Sequence, residues 1–147
     1  MIMSSYTVAM HAGVHSYGVC YGTVADDLPP PSEVVQLYKS NGISNMRVYF
    51  PHSKVMEALR GSGIGLVLGV ANEDIANLAA CAPCAASWVQ TNVRPYHPDV
   101  NVLYIAVGNE VDAAAAAAAQ SILPAMRNLQ AALAAAGLEA TSRCSRA

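Results

Sequence analysis

Charge is scarce in this sequence: only 12% of its 147 residues are Asp, Glu, Lys or Arg, and the formal net charge is -2. The eight Lys and Arg residues are scattered, so there is no basic stripe to hold a nucleic acid or an anionic membrane surface. No apolar run approaches the roughly 20 residues that span a bilayer, so no membrane partner is expected. No GxGxxG or Walker A pattern follows any strand-like segment, which argues against a nucleotide fold. Gly61-Ser62-Gly63-Ile64-Gly65 is glycine-rich but precedes a strand rather than a helix, so it reads as a helix-to-strand turn. The four cysteines, Cys20, Cys81, Cys84 and Cys144, are too few and too unevenly spread to dictate a disulfide scaffold, and they leave the redox compartment open. Met1 to Val14 lacks a basic start and is broken by His11, so it is not a convincing signal peptide; residues 1–17 read as an extension or processing remnant.

What the chain does have is 54% hydrophobic residues, enough to build the core of one domain. They fall into a repeat of strand then helix. Tyr17 to Tyr21 is a short strand, followed by Pro29-Pro30-Pro31 leading into a helix that Ser32 is expected to cap. Val34, Val35, Leu37 and Tyr38 form its apolar stripe, and Asn41-Gly42 is a left-handed stop signal. Met46 to Phe50 is a second strand, with a helix over Ser53 to Arg60 ended by Gly61. Leu66 to Val70 is a third, followed by a helix pair broken at Pro83. Val102 to Val107 is a fourth, and a last helix carries Met126, Leu129 and Leu133 and ends at Gly137. Four βα units imply right-handed crossovers and a parallel sheet flanked by helices, and the missing phosphate turn favours a barrel over an open doubly wound sheet.

In a parallel sheet the residues just past the carboxyl ends of the strands share one rim, and ligands bind there. That rim is expected to hold Tyr21-Gly22, Tyr49-Phe50, Ala71-Asn72 and Asn109-Glu110. Two phenols, two amides and one carboxylate suit a sugar. Aromatic faces pack on pyranose C–H surfaces, amides match hydroxyls, and a carboxyl can move the proton at a glycosidic oxygen. Position alone leaves other readings open. Glu110 could be a solvated acid, Tyr21 and Tyr49 core-edge residues, and Asn72 a turn or cap residue.

Several segments carry a resemblance. Gly18-Val19-Cys20-Tyr21-Gly22, Pro31-Ser32-Glu33-Val34-Val35-Gln36-Leu37-Tyr38, Met46-Arg47-Val48-Tyr49, Leu59-Arg60-Gly61-Ser62-Gly63-Ile64, Trp88-Val89-Gln90 and Ile122-Leu123-Pro124-Ala125-Met126 occur together and in order. In these the chain resembles the plant-type endo-β-1,3-glucanases of glycoside hydrolase family 17, from about Gly18 to Leu138, with 139–147 as a divergent tail. The resemblance implies an α/β fold, the first four βα units of a (β/α)8 TIM barrel. It implies retaining hydrolysis of β-1,3-glucan without a cofactor, in a secreted, wall or vacuolar setting with a defence role. It makes Glu110 the general acid/base, Asn109 a ligand of the sugar 2-hydroxyl and Tyr49 a wall of the catalytic subsite, with Tyr21 and Asn72 near the cleft.

A retaining mechanism needs a second carboxylate about 5 to 5.5 Å from the first. The family supplies it in a Ser-Glu-Ser-Gly-Trp-Pro type motif on a later strand, and that motif is absent here. The last residues, Ala140 to Ala147, also lack the valine-rich character expected of a fifth strand. The expectation is a truncated or frame-shifted half-barrel with strands one and four as open edges, apolar interior side chains exposed and a tendency to self-associate. Asp112 would lie about 6.6 Å from Glu110 along an extended strand, but preceding Ala113 to Ala119 it reads better as a helix N-cap. Glu73 and Asp74 read as first-turn helix residues.

Two further patterns are read as structural. Cys81-Ala82-Pro83-Cys84 has the CxPC form of thioredoxin-like redox motifs but follows a helical segment instead of a strand, so ordinary thiols at a helix connection are expected. The pair with His97 has zinc-finger-like spacing on one side, but no second His follows within three to five residues, and His11, His15 and His52 show no ligand spacing. Three function classes follow: a β-1,3-glucanase by descent, a non-catalytic glucan-binding module, and a redox or scaffold protein using the CxxC pair.

Overall fold

The computed structural model describes residues 17–111, 116–138 and 143–146. The N-terminal segment with His11 and His15, and Asp112, lie outside these residues. Strand β1 (Gly18–Cys20) leads to α1 (Pro31–Ser40), β2 (Asn45–Val48) to α2 (Ser53–Leu59), and β3 (Gly65–Val70) to a 3-10 turn at Asn72–Asp74 and helices α3 (Ile75–Ala80) and α4 (Ala82–Asn92). Strand β4 (Asn101–Val107) leads to α5 (Ala116–Ala135), and β5 (Arg143–Arg146) closes the sheet. All neighbouring pairs are parallel and the spatial order is β1-β2-β3-β4-β5. Strictly sequential order is that of a barrel wall; a doubly wound sheet reverses direction at a switch point.

The element boundaries follow local chemistry. Pro30 precedes the first turn of α1 and Pro31 occupies it, where a missing N–H costs nothing. Ser32 is therefore inside the helix, and no side chain caps α1, which corrects its expected role. The pair of helices after β3 breaks at Cys81, two residues before Pro83, because Cys81 is extended and Pro83 sits in the first turn of α4. Asn128 of α5 reaches back to donate to the carbonyls of Leu78 (2.8 Å) and Ala79 (3.0 Å), satisfying the C-terminal end of α3.

Side-chain alternation divides the sheet into two unlike faces. Met46, Val48, Leu66, Leu68, Val70, Ile105 and Val107 lie on the helix side, and each is at most 1% exposed. The register puts Cys20 beside Arg47, Asn45 beside Gly65, Arg47 beside Val67, Val67 beside Tyr104 and Gly69 beside Ala106 on the other face. A bulge at Leu103 shifts β4 by one residue, which keeps Ile105 and Val107 under the helices.

Two expectations change. A fifth parallel strand pairs Arg143–Arg146 with Tyr104–Val107, so β5 instead of β4 forms the second edge of the described sheet, although its sequence is not valine-rich. Parallel pairing recruits backbone groups, so an unpromising sequence can still complete a ladder. The uncovered inner face is also less uniformly apolar than anticipated, since Asn45 and Arg47 lie among Cys20, Gly65, Val67, Gly69, Tyr104 and Ala106, with Tyr104 exposed. Among the described residues no helix is long and apolar enough to cross a membrane.

The asymmetry is measurable in a single strand. Leu68→Ala, on the face with no exposure, should cost about 2–5 kcal/mol in denaturant unfolding. Val67→Ala, one residue earlier on the half-covered face, should cost less than about 1.5 kcal/mol. Equal costs would contradict the two-faced sheet.

Candidate active site

The chain leaves β4 through an irregular turn. Gly108 has φ +86, and a Cβ there would come within 2.9 Å of Val111 and 3.1 Å of Ile75, so both conformation and space require glycine. Glu110 has φ +47, the one non-glycine residue with positive φ among those described. A left-handed non-glycine residue costs on the order of 1–3 kcal/mol and persists only where its surroundings fix it.

Asn72, on the turn after β3, supplies the fixing. Its Oδ1 accepts from the Asn109 backbone N–H at 2.8 Å, and its Nδ2 donates to the Asn109 carbonyl at 2.8 Å. One side-chain amide thus satisfies both main-chain groups of the residue before Glu110. Asn109 in turn offers its Oδ1 to the Arg47 guanidinium, 3.1 Å away. Glu110 is left exposed at the rim.

Arg47 and Tyr49 lie two residues apart on β2 and its extension, and therefore on one face. The guanidinium carbon stands 5.2 Å from the centre of the Tyr49 ring. Gly69 makes room for this arrangement, because a Cβ at that position would collide with the Tyr49 backbone. A hydrogen bond with Cys20 raises the Tyr49 phenol above its ordinary value; the Cys20 and Glu110 charges and burial push the same way, and Arg47 opposes them. Glu110 and Tyr49 are therefore within electrostatic reach of each other. The Arg47 Nε is buried without a hydrogen-bond partner.

At the carboxyl end of the sheet Asn72 is bonded to Asn109, Glu110 follows in the chain, and Tyr49 is linked to Asn109 through Arg47. Asn72 engages the backbone of Asn109, with both ends of its amide occupied. Tyr21 does not join them. It follows Cys20 by one residue, so alternation turns it to the helix side, where it is 8% exposed within the core and lines a separate cavity with Pro29, Pro31, His52 and Lys54. Its rim role in the sequence reading presumed that every strand-terminal residue faces inward. The 6.6 Å spacing considered for Asp112 also presumed an extended chain, whereas β4 ends at Val107 and Glu110 is left-handed. Arg47 and Cys20 were missed as site residues; an arginine and a tyrosine at i and i+2 of an otherwise apolar strand were the available signal. Among the described residues no group of three or more His, Cys, Asp or Glu is arranged to hold a metal ion.

The two cysteines at the helix connection, whose pairing the sequence left open, are joined. Cys81 and Cys84 form a disulfide, and Cys20 is a free, exposed cysteine. The break between α3 and α4 brings the two sulfurs together, which the helical reading of that segment had not allowed for.

The Tyr49 environment sets a pH signature. A phenol whose titration is raised favours the neutral form, so its contribution to stability is complete below the unfolded value of about 10 and is lost as pH rises through the folded value. Ultraviolet titration of tyrosinate, taken as the difference from Tyr49→Phe, should give a midpoint above about 10, and Cys20→Ala should lower it. A midpoint at or below the ordinary value would contradict the hydrogen bond.

The family pattern described as Glycosyl hydrolases family 17 matches residues 17–147, so it extends through the tail that looked divergent. A Hordeum vulgare protein, glucan endo-1,3-beta-glucosidase GII, is 58% identical over 132 residues, covering 90% of this chain and 39% of its own length. A glucan endo-1,3-beta-glucosidase of Vitis vinifera is 50% identical over 141 residues. A solved beta-1,3-glucanase and allergen of Cryptomeria japonica pollen superposes with a TM-score of 0.86 at 36% identity, covering 90% of this chain and 42% of that one. The chain thus spans about two fifths of the length of the relatives it matches. On this sequence match and the sequential parallel sheet together, the chain belongs to glycosyl hydrolase family 17.

Proposed function

We propose that this chain supplies the proton-transfer and sugar-binding half of a β-1,3-glucan hydrolase site. The observation that carries the reading is Glu110 itself: an exposed carboxylate held in a left-handed conformation by the Asn72–Asn109 hydrogen bonds, with its charge felt at the Tyr49 phenol. In this reading Glu110 protonates the glycosidic oxygen and later activates water. Asn109 binds the sugar 2-hydroxyl through its Nδ2, its Oδ1 being already turned to Arg47. The face of Tyr49 packs on the sugar ring. Asn72 and Arg47 are positioning residues. Hydrolysis with retention also needs a nucleophilic carboxylate, and we assign that role to no described residue. Binding without turnover is therefore the activity expected of the described residues alone.

Relatives named as glucan endo-1,3-beta-glucosidases support a β-1,3-glucan as the ligand. The Cys81–Cys84 disulfide supports an oxidising setting such as a cell wall or vacuole. We also propose that copies associate through β1 and β5, the two edges of the described sheet, since unpaired strand edges recruit one another. Light scattering should then show dimers or larger species; a strictly monomeric, sharply melting protein would count against association.

Laminari-oligosaccharide titration followed by calorimetry tests the site. Binding should weaken about tenfold in Tyr49→Ala, the upper end of what one aromatic–sugar contact contributes. Reducing-sugar release from laminarin should be absent, or reduced about 10²–10⁴-fold by Glu110→Gln. Release that persists undiminished in Glu110→Gln would remove Glu110 from the chemistry, and no binding at all would remove the glucan.

A further inference from the structure

The CxPC segment is unused by the site just described and lies on a different element. Cys81 is the N-cap of the 11-residue helix α4, with φ -134 and ψ 97, and Pro83 sits in the first turn. The Cys81 sulfur bonded to Cys84 also accepts the Cys84 backbone N–H at 3.1 Å. That N–H is one of the donors a helix start leaves without an intrahelical partner, and the same helix end carries the positive pole of the macrodipole. Charge developing on the Cys81 sulfur is therefore met by a donor already in place. Both cysteines are partly exposed.

The two sulfurs are not equivalent toward a ligand. Cys84, and not Cys81, lines a cavity of about 330 Å³ shared with Asn77, Ser87, Trp88, Thr91 and Asn92. Trp88 is 8% exposed, giving a rigid aromatic wall; Asn77, Ser87, Thr91 and Asn92 supply amides and hydroxyls, and Leu78 and the Asp74 carboxylate complete the lining. Such a mixture suits the backbone and side chains of a short peptide. The cavity thus delivers a ligand to one sulfur while the helix start stabilises the other.

We propose that Cys81–Cys84 is a thiol–disulfide exchange centre whose substrate is the thiol of a small peptide, with Cys84 the sulfur attacked and Cys81 the leaving sulfur. A substrate thiolate in the cavity attacks the Cys84 Sγ, forming a mixed disulfide. The Cys81–Cys84 bond breaks, and its electron pair leaves on the Cys81 Sγ, held by the Cys84 N–H. A second substrate thiolate then attacks the substrate sulfur of the mixed disulfide and expels Cys84 as a thiolate. The two protons given up by the substrate thiols end on Cys81 and Cys84. Two thiols are oxidised to one disulfide, and the protein disulfide is reduced by two electrons. This activity does not depend on the glucan reading.

The full oxidised chain, treated with reduced glutathione without denaturant, quenched with acid and mapped by peptide mass, tests the assignment. The glutathione adduct is expected on Cys84 in at least tenfold excess over Cys81. In the fully reduced protein, alkylation of Cys81 by iodoacetamide should have a pH midpoint at least one unit below the ordinary thiol value of about 8.5. The proposal is overturned if the disulfide reacts only after unfolding, if the adduct sits on Cys81, or if Cys81 titrates at or above the ordinary value. Both measurements use the unaltered protein, so a variant that fails to fold cannot obscure the result.

Discussion

A parallel sheet must bury its backbone and at least one face under the helices that connect its strands, and this constraint organises everything else here. Met46, Val48, Leu66, Leu68, Val70, Ile105 and Val107 satisfy it on the helix side with almost no exposure. Because alternation is strict, the positions between them are committed to the other face. That is why Cys20, Arg47 and Tyr104 share a surface although they come from three different strands. The bulge at Leu103 is the local adjustment that keeps β4 in phase with this division.

The rim cluster inherits its geometry from that sheet. Parallel register aligns the ends of β2, β3 and β4, so the turns after them converge, and Asn72 can reach the backbone of Asn109 from the neighbouring turn. Two good hydrogen bonds, each worth about 0.5–1.5 kcal/mol net, offset the on-the-order-of 1–3 kcal/mol cost of a left-handed Glu110. The carboxylate is thereby held at the rim instead of continuing the strand. Arg47 links the same turn to the Tyr49 ring, so one cation orients both an amide and an aromatic face.

The second cluster of chemistry, at Cys81 and Cys84, arises from a different feature, the interruption between α3 and α4. An extended Cys81 followed by a proline in the first turn places two sulfurs three residues apart at a helix start. The sheet contributes nothing to it. A helix pair joined without a linker residue to spare is enough to create a redox-capable pair on one side of the fold while the rim carries the carboxylate.

The sequence by itself determined the four βα units, their parallel sense, the core stripe and the position of Glu110 at the end of β4, because periodicity, glycine stops and proline starts are local signals. It could not determine which strand-terminal side chains face each other. Tyr21 and Cys20 differ by one residue, and only the register with Met46 and Arg47 decides that Cys20 joins Tyr49 while Tyr21 enters the core. The double hydrogen bond of Asn72, the part of Arg47, the pairing of Cys81 with Cys84 and the fifth strand at Arg143–Arg146 were likewise settled by tertiary structure. The bonds at Asn109 cross between segments 37 and 62 residues apart, the sulfur pair depends on a helix break, and the fifth strand depends on a ladder offered by β4. Local pattern encodes what each segment prefers; which side chains meet is fixed by how those segments align.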